Sequence, residues 1–214
     1  MKTWNGGREP RAKAPFPQAF PFRGFLVLTA IALTGVLASC AGREDLSDLQ
    51  VDLVDQNGQP FRFPEDVGDR AVLIGYVYTH CPDICPMVTY NMRDVRSAVE
   101  SPDLLLLSVS FDPRRDSPDV LRRYAESYKL DTSHWKLLTG EPEQVDRFMD
   151  RLGIAVQKLP SRFSEDGSEI YFVNHSDKVT LLAPGPERAA EFVGSELRQE
   201  EVLEEIGSIL SELP

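Results

Sequence analysis

Residues 71–99 read Ala71-Val-Leu-Ile-Gly-Tyr-Val-Tyr78, then Thr79-His80-Cys81-Pro82-Asp83-Ile84-Cys85-Pro86, then Met87-Val-Thr-Tyr-Asn-Met-Arg-Asp-Val-Arg-Ser-Ala-Val99. The first segment carries no charge and is rich in branched and aromatic residues, the composition of a strand buried on both faces. In the last segment Met87, Tyr90 or Met92, Val95 and Val99 recur at helical spacing. The eight residues between them therefore form a strand-to-helix turn, and both Cys81 and Cys85 stand on it. A helix start offers unpaired amides and partial positive charge, which lower a thiol's pKa and favour the thiolate that binds metal or attacks disulfides. Cys85, in the first helical turn, is expected to gain most.

The pattern continues on both sides of this turn. Leu104–Phe111 is a second buried strand, Ser117-Pro118-Asp119 opens a helix running to about Lys129, and Trp135–Leu138 is a third strand. Serine before proline is an N-cap followed by proline in the first turn. Pro142 opens another helix to Leu152; Ile154–Leu159, Ile170–Val173 and Val179–Ala183 read as strands, and residues 198–213 as a closing helix. Upstream, Val51–Val54 and Phe61–Phe63 alternate about Asn57-Gly58, the signature of a small β-hairpin. Strands alternating with helices of this length make an α/β sandwich, here with an N-terminal hairpin extension.

The chain of 214 residues is the size of one ordinary domain with a short appendage. That appendage is the N-terminus: Lys2, Arg8, Arg11, Lys13 and Arg23 precede an uncharged run from Phe25 to Ala38 that ends in Leu37-Ala38-Ser39-Cys40. The order is that of a secretion signal. The run is shorter than the roughly 20 apolar residues a membrane span needs, so it reads as the apolar part of a cleaved signal. Small residues followed by Cys40 resemble a bacterial lipobox, in which the cysteine is lipidated and becomes the new N-terminus. The expected organisation is a lipoprotein signal peptide at 1–39, a flexible tether at 40–48 and one domain at 49–214. The domain would lie in the cell envelope, facing the periplasm or cell exterior and held to the membrane by its lipid. An uncleaved signal anchor is the alternative and leaves the domain in the same compartment.

Residues 1–39 carry five basic groups and one acidic group, so the rest of the chain has a formal charge of −15, against −11 for the whole. Such a surface repels phosphates and anionic lipid heads, which argues against nucleic acid binding.

Cys81 and Cys85 are the only cysteines beyond Cys40. An exported protein pairs thiols readily, but a disulfide here would close so short a loop that it explains the spacing poorly. Two thiolates converging from one turn suit a soft monovalent copper ion, which accepts two sulfurs and one imidazole. The chain offers His80, His134 and His175 as the third donor, and spacing alone does not choose among them.

Four segments, in order, are Tyr76-Val-Tyr-Thr-His-Cys-Pro-Asp-Ile-Cys-Pro86, Val109-Ser-Phe-Asp-Pro-Arg-Arg-Asp-Ser-Pro118, Trp135-Lys-Leu-Leu-Thr-Gly140 and Val173-Asn-His-Ser176. Together they resemble the Sco/SenC family across nearly the whole domain. The resemblance implies a thioredoxin-like three-layer fold, with Cys81, Cys85 and His175 as copper ligands. It also implies a metallochaperone that supports assembly of the copper A centre of cytochrome c oxidase, so the expected partner is that oxidase subunit or another cuproprotein. His80 matches a position the family does not use. Asn174 stands where the family usually has aspartate; if that carboxylate orients the imidazole, its loss weakens binding about 10- to 100-fold. Asp112 and Asp116 match the second segment and are read as turn and cap formers, Asp83 as a turn residue, and Met87 and Met92 as helix core.

The competing reading is a thiol-disulfide oxidoreductase that uses Cys81 and Cys85 as a redox-active pair to reduce the oxidase subunit's cysteines. Three residues between the cysteines, rather than two, argue against it without forbidding it. A peroxiredoxin-like peroxidase is a more distant third.

Overall fold

The computed structural model describes residues 43–213. The signal segment and Cys40 lie outside the described residues. In chain order the elements are β1 (Glu44–Asp45), β2 (Val51–Asp55), β3 (Pro60–Phe63), β4 (Ala71–Val77), α1 (Ile84–Ala98), β5 (Leu104–Ser110), α2 (Pro118–Tyr128), β6 (Trp135–Thr139), α3 (Pro142–Arg151), β7 (Val156–Lys158), β8 (Arg162–Phe163), β9 (Glu169–Ile170), β10 (Val173–His175), β11 (Val179–Ala183), β12 (Glu187–Phe192) and α4 (Gln199–Ser211).

β4 and β5 pair in parallel at the centre of an eight-stranded mixed sheet, with every residue of both buried. Burial on both faces is what their continuous apolar sequence anticipates. Strand order is β1-β12-β11-β4-β5-β6-β2-β3. Alternation along β4 and β5 sends Val72, Ile74, Leu105 and Leu107 to one face, where they pack with Phe148 of α3 and Phe63 of β3. Leu73, Leu104 and Leu106 point the other way, onto α1, α2 and α4. The result is a three-layer α/β/α fold with the hairpin β2–β3 extending one sheet edge through the pairing of β2 with β6.

Helix α1 lies close on β4 because Gly75 has no side chain: a Cβ there would overlap Met92 Sδ. The buried face of α1 is Cys85, Val88, Thr89, Met92 and Val95. That register leaves Met87 45% exposed and Tyr90 46% exposed, so Met87 is surface rather than helix core as expected.

The described part of the expected tether is not free. Glu44 and Asp45 pair with Arg188 and Glu187 of β12, Arg151 bonds Glu44 and Asp48, and Leu46 and Leu49 are buried. The domain therefore begins by residue 44. β12 gives no strand signal in the sequence, because Glu187-Arg-Ala-Ala-Glu-Phe192 is half-buried apart from exposed Glu191 and carries neither an apolar run nor strict alternation. Ser117 occupies the N-cap of α2 through its backbone, with no side-chain cap bond.

Between α3 and β11 the chain leaves the sheet. β7 and β10 form a separate antiparallel ribbon, and β8 and β9 a shorter pair beyond it. The strand expected at Ile170–Val173 is thus divided between β9 and β10, and His175 closes β10, opposite Val156, instead of lying in a turn.

Candidate metal centre

The turn after β4 is closed by the Cys81 N–H, which donates to the Tyr78 carbonyl. It leads into α1, whose first amides lack partners within the helix. One of them, the Cys85 N–H, donates to Cys81 Sγ at 3.4 Å. The free amide of the helix start therefore serves the earlier cysteine. Cys81 is half-buried and Cys85 fully buried.

This arrangement splits the two thiols. The Cys85 S–H hydrogen bond brings Cys81 down to about 3, assisted by His175 and the amides of Cys85 and Asp83, with burial opposing. Cys85, the donor in that bond and buried, is pushed up. Cys81, not Cys85 as the helix argument alone suggests, is the thiolate of the metal-free site.

His175 comes from the ribbon, 90 residues downstream, and its Nε2 lies 3.7 Å from Cys85 Sγ. Its Nδ1 is 2.9 Å from the Ser176 carbonyl, which only accepts, so Nδ1 is protonated and Nε2 is the ring nitrogen turned toward the sulfurs. The ring lies against Phe111 with centroids 4.5 Å apart and the planes tilted by 38°, and Tyr78 approaches it edge-on at 6.3 Å. Asn174 is exposed and pairs across the ribbon with Gln157, so the ring is oriented by a backbone carbonyl and an aromatic face. Neither is recognisable from the sequence.

One donor atom from each of Cys81, Cys85 and His175 lies within 4.8 Å of the others, the one such His, Cys or carboxylate cluster among the described residues. With metal–sulfur bonds of about 2.3 Å and metal–nitrogen bonds of about 2.0–2.1 Å, a flat three-coordinate ion needs sulfur and nitrogen about 3.8 Å apart. The observed 3.7 Å between Cys85 Sγ and His175 Nε2 matches that spacing for one of the three donor pairs. Two sulfurs and one imidazole form a soft set that suits monovalent copper, while a closed structural zinc site wants a fourth protein ligand.

Neither of the other histidines joins the cluster. The His80 ring is more than half exposed and bonds Thr79 Oγ1 at 3.1 Å. His134 sits before β6, its carbonyl bound by Leu106 N–H. Asp83 makes no side-chain cap to α1. Asp116 is not a cap either. It is buried, accepts from Thr79 N–H at 3.0 Å, Thr79 Oγ1 at 2.6 Å and Ser110 Oγ at 2.6 Å, and so staples the end of β4 to the end of β5. Burial pushes its carboxyl up. Asp112 does form a turn, its carbonyl accepting from the Arg115 and Asp116 amides.

Comparison with known proteins places the chain. A relative from Stutzerimonas stutzeri is 33% identical over 138 residues, covering 63% of each chain. The SCO1 protein homolog of Bacillus subtilis is 28% identical over 168 residues, covering 71% of this chain and 83% of its own. Among solved structures, Bradyrhizobium japonicum ScoI with copper bound superposes with a TM-score of 0.64 at 24% identity, covering 75% of this chain and 97% of that one. BsSco, described as a member of the Sco family of cytochrome c oxidase assembly proteins, gives 0.62 at 20% identity, covering 80% and 98%. The shared architecture is the thioredoxin-like α/β fold. The SCO1/SenC family model matches residues 44–211, from β1 through the cysteine turn and the ribbon to the last residue of α4, and the chain belongs to that family.

Proposed function

We propose that this protein is a copper metallochaperone. It holds the ion as cargo on Cys81, Cys85 and His175 and passes it to the copper A subunit of cytochrome c oxidase or to another cuproprotein of the cell envelope. The observation that carries the reading is the convergence of two sulfurs and an imidazole within 4.8 Å, with a ring proton held on Nδ1. The copper-bound Bradyrhizobium relative and the description of BsSco as an oxidase assembly protein support it. Residues 1–39 serve as a lipoprotein signal, and a lipid on Cys40 keeps the domain at the membrane, facing the periplasm or cell exterior.

The test is competition for Cu(I) between the reduced full chain, kept in detergent, and a strong chromogenic chelator. Wild type takes up one equivalent, while Cys81→Ala, Cys85→Ala and His175→Ala each lose affinity. Uptake that is absent, or unchanged in Cys81→Ala, refutes the proposal.

A second reading rests on the division of the thiols. A half-buried thiolate beside a buried protonated thiol is the arrangement by which a dithiol reduces a disulfide: the first attacks, the second resolves. Robust disulfide turnover by His175→Ala, in a variant that no longer retains copper, would favour reduction of the acceptor's cysteines as the principal role.

A further inference from the structure

The two cysteines are set by the sheet and α1, but the histidine is not. β10 makes no hydrogen bond to the eight-stranded sheet; its ladder partner is β7, in a ribbon of their own. Something other than the sheet must fix His175 Nε2 at 3.7 Å from Cys85 Sγ.

The fastening lies four residues before the histidine. The Tyr171 hydroxyl donates to Asp112 Oδ1 at 2.8 Å. Arg115 forms an ion pair with the other oxygen of Asp112 through Nε and donates from Nη1 to the Tyr171 carbonyl at 3.1 Å. Its guanidinium lies 3.6 Å from the Tyr171 ring centroid and 5.6 Å from that of Tyr78. Nη2 is buried without a hydrogen-bond partner. A buried guanidinium nitrogen left unbonded is costly unless the planar cation is stacked on aromatic faces, and here it is. Asp112 and Arg115 both belong to the loop that follows β5, whose first residue, Phe111, packs against the His175 ring. Between fastening and histidine, Val173 N–H reaches the Tyr78 hydroxyl at 3.4 Å.

We propose that Asp112, Arg115 and Tyr171 form a latch that seats the β7–β10 ribbon on the domain, making them positioning residues that hold the His175 imidazole against the cysteine pair. None of the three touches the ligand atoms. They act through the ribbon, as outer partners fix the ligands of metal sites elsewhere. The latch explains why charged and aromatic residues so far apart in sequence meet beside a soft-metal site whose own donors they do not contact. It rests on the copper-carrier reading only for its purpose; the geometry stands without it.

The experiment has a copper-free arm and a copper arm, both on the full chain in detergent with ring-labelled histidine. In the reduced, metal-free protein the three histidines give separate ring resonances, and His175 is displaced by the Phe111 ring current. Arg115→Met, which keeps length and removes the fork, moves the His175 resonance toward its free value and leaves His80 and His134 in place. In the copper arm the same variant loses Cu(I) affinity by about 10- to 100-fold. Its Cu(II) form keeps the sulfur-to-copper charge-transfer band and loses the imidazole nitrogen hyperfine coupling. A variant with wild-type His175 resonance and nitrogen coupling overturns the latch, even if it melts earlier. Should Arg115→Met fail to fold, Tyr171→Phe decides: removing one hydroxyl, it shifts the His175 resonance in the same direction by less, and no shift overturns the proposal. If wild type itself takes up no copper, the carrier reading falls while the copper-free arm still judges the latch.

Discussion

Reaction of the reduced, metal-free chain with a small chromogenic disulfide across pH 4–9 separates the two thiols by their physics. Cys81 is held down to about 3, chiefly by the Cys85 S–H hydrogen bond, while Cys85 is buried and pushed up. At pH 5 an ordinary thiol with a pKa near 8.5 is thiolate in roughly one molecule in 3000. Cys81 is almost wholly ionised there. Its weaker basicity costs nucleophilicity: with a Brønsted coefficient of about 0.4–0.5, a pKa lower by about 5.5 slows attack about 150- to 550-fold. The net expectation is that Cys81 reacts about 5–20 times faster than free cysteine at pH 5 and about 100 times slower at pH 8.5, with a rate nearly flat between. Initial chromophore release gives the rate, and mass mapping of the first adduct gives the site. Cys85→Ala removes the principal donor, so the onset of reactivity moves to higher pH; His175→Ala moves it less. A Cys81 rate that climbs about tenfold per pH unit from 5 to 8, or first modification at Cys85, refutes the assignment of thiolate and thiol.

Three further outcomes follow from the geometry. His80→Ala leaves Cu(I) affinity within about twofold, because its ring bonds Thr79 and lies outside the ligand cluster; a competition titration showing a loss comparable to that of His175→Ala contradicts the three-donor site. Gly75→Ala destabilises the domain by about 1–3 kcal/mol in urea unfolding, since its Cβ would overlap Met92 Sδ in a closed core, and Gly75→Ala with Met92→Ala costs less than the sum of the two single substitutions. For Asp116, burial raises the folded-state pKa above the unfolded value, so its linked stability is complete below the ordinary carboxylate range and is lost as pH rises through the folded pKa. The urea midpoint of wild type relative to Asp116→Asn therefore falls as pH is raised from about 4, and a pH-independent difference shows the carboxyl to be ordinary.

What the sequence determined by itself is whatever local pattern controls. Ala71–Tyr78 could only be a strand buried on both faces, and the apolar spacing after Pro86 could only be a helix, so the cysteines had to stand at the turn between them. Proline at the first turn marked the starts of α2 and α3. Two strands at one end of the sheet were invisible: β12 is half-buried apart from exposed Glu191, and β1 is two acidic residues recruited by a neighbour. The third ligand was nameable only through resemblance to a family, because nothing in the spacing of His80, His134 and His175 distinguishes them.

Only the tertiary structure decided which sulfur is charged and what orients the imidazole. The helix-start amide that was expected to favour Cys85 points at Cys81, and Cys85 is buried behind it. The ring is set by the Ser176 carbonyl and the Phe111 face, and its ribbon is seated through Arg115. Local periodicity reflects interactions within a few residues, which short-range sterics and burial fix. A site joining residues 81, 85 and 175 depends on hydrogen-bond directions and ring contacts that exist only after the chain has closed on itself.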